Sequence, residues 1–145
     1  MRNFLRFTFF KKHADYSVLL LRLLVGSFII HGVQDNILSW AQMLEFGKFL
    51  GQRGVPSPLF AAHLSVYAQF LCGVSILLGA FIRPISVIFI VNFICAIVIA
   101  HLGQPFRAML PALMMIAAGF FFLFHGAGKP SVDTWLERDG NDPNC

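Results

Sequence analysis

PISVIFIVNFICAIVIAHLGQPF, residues 84–106, contains no Asp, Glu, Lys or Arg. A helix rising roughly 1.5 Å per residue needs about 20 mostly apolar residues to cross about 30 Å of hydrocarbon. This stretch meets that length. Its apolar run is continuous rather than alternating, which argues against a barrel strand. Backbone polar groups in lipid must bond within their own segment, so the stretch is expected to be a helix.

Reading outward from it, the same pattern recurs. Gly54 to Ile82 and Ala108 to Gly128 hold no Asp, Glu, Lys or Arg, and Tyr16 to Gln34 holds only Arg22. Only 12% of the 145 residues are charged and 57% are hydrophobic, whereas a soluble domain carries about 25% charged residues. Too little charge is present to cover a water-exposed globule. The expected class is all-α, a polytopic membrane protein built as a bundle of four transmembrane helices. The spans are placed at residues 16–37, 59–81, 85–102 and 107–125, inside a membrane domain at 16–128. A basic N-terminal segment, 1–15, precedes it and a polar tail, 129–145, follows.

Positive residues prefer short cytoplasmic flanks. With the N-terminus inside, Arg2, Arg6, Lys11, Lys12, Arg83, Lys129 and Arg138 are cytoplasmic, against Lys48, Arg53 and Arg107 outside. This bias predicts a multi-pass protein of a cytoplasmic (inner) membrane with both termini cytoplasmic. It also accounts for the positive balance without nucleic acid. A basic segment before an apolar run resembles a signal peptide, but no small-residue cleavage site closes the run, so no cleavage is expected.

Between the first two spans, Trp40, Met43, Leu44 and Gly47 follow helical spacing. The segment reads either as a short helix on the outer membrane surface or as a plain loop broken by Gly47, Gly51 and Gly54. The composition of the tail, with Asp139-Gly140-Asn141-Asp142-Pro143, predicts a largely disordered end.

Polar groups within a span are costly and each is a functional candidate. Arg22 lies about 9 Å in from the span edge at ~1.5 Å per residue. It needs a carboxylate, carbonyls or a wet cavity. Asp133, just past the fourth span, is the candidate partner of a structural ion pair, and snorkelling to the headgroups is the alternative. Gln69 and Asn92 project near mid-membrane, to bond each other as helix–helix glue or to meet a ligand. His31, His63 and His101 converge on the outer half. Imidazole relays protons, bonds a quinone carbonyl or binds metal. Neither spacing nor flanking sequence specifies haem or a metal site, and satisfied interfacial histidines are the plain alternative. Cys72, Cys95 and Cys145 form no C-x-x-C pair, so no dithiol centre is expected. No nucleophile–base pair or phosphate loop is visible, so stand-alone catalysis has no motif to rest on.

Leu21-Arg22-Leu23-Leu24-Val25-Gly26, His31-Gly32, Gly54-Val55-Pro56, Gly73, Leu77-Leu78-Gly79, Arg83 and His101 together resemble the DoxX family of bacterial membrane proteins. Gly126-Ala127-Gly128-Lys129-Pro130-Ser131-Val132-Asp133 is similar to that family's closing G-x-G…S-x-D. The resemblance spans Tyr16 to Trp135. It implies a four-helix membrane bundle associated with respiratory or redox complexes, including quinone-linked ones, and with oxidative-stress assemblies. The chain departs from the family at Gln69, where a Glu is common, near Arg107-Ala108, where another acid is common, and around Gln34-Asp35. Losing carboxylates weakens a carried-over proton relay. On this reading Arg22, His31, Gln69, Asn92 and His101 line a quinone site in a subunit of a membrane oxidoreductase. Its partners are the bilayer, other membrane or redox proteins, and further copies of itself. A non-catalytic scaffold presenting Trp40–Leu50 and the tail is the alternative, and a small-solute transporter has weaker support.

Overall fold

The computed structural model describes residues 13–139. The basic residues Arg2, Arg6, Lys11 and Lys12, and the tail beyond Asp139, lie outside the described residues. Among the described residues six helices follow one another: α1 (Ala14–Leu38), α2 (Trp40–Gln52), α3 (Pro58–Leu78), α4 (Ile82–Ala96, continued by a π turn at Ile97–His101), α5 (Phe106–His125) and α6 (Val132–Asp139). No strand is present among the described residues. Four of these, Ala14–Leu38, Pro58–Leu78, Ile82–His101 and Phe106–His125, are long and apolar enough to cross a membrane. The chain is therefore an all-α, multi-pass membrane protein. One end of the bundle carries the start of α1, the α3–α4 turn and α6, and is here called the terminal end. The other carries α2 and is called the loop end.

Span boundaries differ from expectation where capping is decided by distant residues. The second span stops at Leu78, because Gly79 adopts φ +67. The Gly79 N–H donates to the Ile76 carbonyl and the Ala80 N–H to the Ser75 carbonyl, at 3.2 and 3.0 Å. This is the bonding pattern of a left-handed helix stop, which glycine adopts without a Cβ penalty. The next helix starts at Ile82, before the expected 85, because a carboxylate from the far end of the chain caps it (below).

Lipid tails are as apolar as leucine, so helices in a bilayer gain from close packing rather than from leaving water. Gly26 on α1 and Gly73 on α3 supply it. A Cβ on Gly26 would stand 2.6 Å from Leu77 Cγ, and one on Gly73 2.8 Å from Ile30 Cγ1. Two clusters make up the core. Val18, Val25, Ile29, Ile76, Phe89 and Phe122 pack in one, and Val33, Met43, Leu50, Ala62 and Val66 in the other. Large side chains such as Leu24, Phe28, Leu71 and Phe124 point outward, as a lipid-facing surface requires.

Of the two readings of residues 40–52, a helix forms. It is not a bare surface helix: Met43, Gly47 and Leu50 are buried in the core they share with Ala62 and Val66 of α3. The polar tail is a correction. Its described part, Lys129–Asp139, is folded rather than disordered. Ser131 starts α6 by accepting the Thr134 N–H at 3.2 Å while the Thr134 hydroxyl donates to the Ser131 carbonyl at 2.8 Å. Those local bonds and the contacts of Asp133 outweigh the polar composition.

Candidate functional site

Two places gather polar side chains. The first is the terminal-end junction around Arg22, which is 2% exposed. A guanidinium cannot shed its charge in a low-dielectric site and must place its five N–H groups. Four find backbone carbonyls. Nε donates to Ile76 at 2.9 Å, Nη2 to Leu77 at 2.8 Å, and Nη1 to Ala127 at 3.1 Å and Pro130 at 2.7 Å. Ile76 and Leu77 belong to the last turn of α3, whose carbonyls carry the negative end of the helix dipole, and Ile76 accepts Arg22 Nε beside the capping Gly79 N–H.

Asp133, the expected partner of Arg22, belongs to the same junction, but its hydrogen bonds go to the backbone. Its carboxylate accepts the Phe81 N–H at 2.6 Å and the Ile82 N–H at 3.0 Å, and its own N–H donates to the Gly79 carbonyl at 3.0 Å. It thus caps the positive start of α4. Gly79 lies between the two: a Cβ there would stand 2.6 Å from Arg22 Cζ and 2.6 Å from Ser131 Cβ. The arrangement ties three chain segments together and leaves no room for a ligand against Arg22.

The second place is a groove of about 550 Å³ walled by α2, α3 and α4. Phe46, Phe49 and Leu50 line it from α2, Leu64 and Ala68 from α3, and Val91 and Ile99 from α4. Its polar lining is Ser65, Gln69, Asn92 and Cys95. Gln69 Nε2 donates to Ser65 Oγ at 3.1 Å and Asn92 Nδ2 donates to the same oxygen at 3.3 Å. Asn92 Oδ1 is buried with no hydrogen-bond partner. The two amides project from the middles of their spans, about 15 Å from either end at ~1.5 Å per residue. They meet through Ser65 rather than directly. Sequence reading missed Ser65, although its position one turn before Gln69 was a usable signal. It also missed that α2 forms a wall, because contact between helices separated by a turn leaves no mark on local pattern.

The histidines scatter. His31 is exposed on α1, with Nδ1 2.7 Å from Gln34 Nε2. His63 bonds the Leu59 carbonyl through Nδ1 at 2.8 Å, stacks on Tyr67 at a centroid distance of 6.3 Å and lies tilted against Trp40 at 5.6 Å. His101 ends the π turn with Nδ1 buried and unpartnered. No group of three or more His, Cys, Asp or Glu positioned to hold a metal occurs among the described residues. Of the five residues expected to share one site, Gln69 and Asn92 face the groove. Arg22 is at the other end of the bundle, and His31 and His101 are not among the groove's lining.

The model of the DoxX family matches residues 17–102. That interval holds Arg22, Gly26, Gly73 and Gly79 of the junction and crossing, and the whole groove. No curated protein and no solved structure matches the chain.

Proposed function

This chain belongs to the DoxX family, and on that premise we propose that it is a quinone-linked subunit of a redox complex in a bacterial inner membrane. Both termini face the cytoplasm, as the flanking charge bias favours. One observation carries the reading: an apolar groove of about 550 Å³ ends on a mid-membrane amide–hydroxyl–amide cluster with an unpaired buried acceptor. Binding sites for small molecules combine a largely apolar lining with a few placed polar groups. A buried unpaired polar atom costs roughly 1–3 kcal/mol until something bonds it. The molecule that fits reaches the groove through lipid, presents a neutral hydrogen-bonding head, and has an apolar body. Isoprenoid quinones meet all three conditions. Gln69 and Asn92 hold the head, and the aromatic and aliphatic wall from α2 covers the body. Electrons pass to or from an oxidoreductase docked on this chain.

The test is extraction in mild detergent followed by quinone analysis of the purified protein. Quinone is expected to co-purify. Asn92→Leu, which removes that side chain's N–H donors and its C=O acceptor, is expected to weaken its binding about tenfold, the equivalent of ~1.4 kcal/mol. A wild-type preparation with neither bound nor titratable quinone would remove the reading.

A further inference from the structure

Among the described residues the groove's lining holds no carboxylate, imidazole, ammonium or guanidinium. Its titratable lining among the described residues is the Cys95 thiol, and Arg53 Cζ stands 5.2 Å above the ring of Phe49, which lines the groove. Interconverting a quinone and its quinol moves two electrons and two protons. A site that performs the exchange needs groups that give and take those protons within hydrogen-bond reach. Here the polar groups that the head would meet are two amides, a hydroxyl and the Cys95 thiol, with no carboxylate or imidazole among the described lining.

Amides and hydroxyls nevertheless suit both forms of the ring. A quinone carbonyl needs a donor, and each amide has a second N–H besides the one it gives to Ser65 Oγ. A quinol hydroxyl needs an acceptor, and Asn92 Oδ1 has no partner. Half a turn of an amide exchanges its C=O and NH₂ with almost no change of shape. The Ser65 hydroxyl both donates and accepts, so it follows either orientation.

Resting on the quinone reading above, we infer that this groove is a holding site: it binds quinone and quinol with nearly equal affinity and leaves their interconversion to the docked partner. The bound ring keeps close to its membrane potential and passes to or from the partner in either state.

The experiment uses the full chain in nanodiscs with a short-chain ubiquinone analogue. Its Kd is measured by calorimetry at pH 7 for the oxidised form and, without oxygen, for the reduced form. The expected ratio of the two constants is within about threefold. A tenfold preference, equivalent to about 30 mV for a two-electron couple, would overturn the inference while leaving quinone binding intact. No binding of either form would remove the quinone reading as well. Gln69→Glu keeps the side-chain size and adds a carboxylate. It is expected to shift the ratio tenfold or more toward quinol at pH 8, by accepting from the quinol hydroxyl and opposing the carbonyl. An unchanged ratio in that variant, with its helical circular dichroism intact, places the ring elsewhere and overturns the inference too.

Discussion

Arg22 shows why a charge buried in a membrane bundle need not be catalytic. Its guanidinium closes the end of α3 and holds residues 127 and 130 through carbonyls alone. Arg22→Gln leaves several buried carbonyls unpaired at roughly 1–3 kcal/mol each. Thermal unfolding in detergent is therefore expected about 10 °C lower, given ~2–4 °C per kcal/mol. Combining it with Asp133→Asn should give less than the sum of the single losses, because both act on one junction. Strict additivity would mean the two side chains work independently. Gly79 and Gly103 offer a sharper comparison. Both have positive φ, but a Cβ meets Arg22 and Ser131 at Gly79 and open space at Gly103. Gly79→Ala should cost clearly more stability than Gly103→Ala, and equal melting points would refute the close packing. That Arg22 needed partners was legible in the sequence, where an ion pair with Asp133 or snorkelling was expected; its hydrogen bonds go to carbonyls instead. The carbonyls were not legible, since every residue supplies one and only the fold selects which four converge.

At the scale of elements, the α3–α4 turn is built by residues that are remote in sequence. Ile82 begins a helix because Asp133, fifty-one positions later, accepts its N–H. Local signals therefore put the start too late. Losing a side-chain cap costs about 1 kcal/mol. Asp133→Ala should speed hydrogen exchange at the Phe81 and Ile82 amides while leaving the middle of α5 unchanged. Uniform acceleration along the chain would instead indicate general loosening. The groove was half legible. Gln69 and Asn92 stand out in apolar runs, whereas its α2 wall depends on Gly47 letting Leu59 approach, with a Cβ placed 3.3 Å from Leu59 Cδ1.

For the molecule as a whole, three uncharged runs and one holding only Arg22 announced four crossings, and four such apolar helices are present among the described residues. An even number of crossings returns the chain to its starting side. Reporter fusions after residue 12 and after residue 139 should therefore report one and the same compartment. Opposite compartments would break the topology. The histidines illustrate the limit of depth arguments: equal depth in the bilayer says nothing about which way a helix face turns. The junction also orders events during synthesis. Helices α1, α3 and α4 are synthesised before residues 127–133. Until those residues emerge, the nascent bundle holds an arginine short of two acceptors and a helix start without its cap. A message truncated after Gly126 should yield an inserted but loose protein that membrane proteases clear quickly, so residues 127–133 act as a clasp on the helices inserted before them.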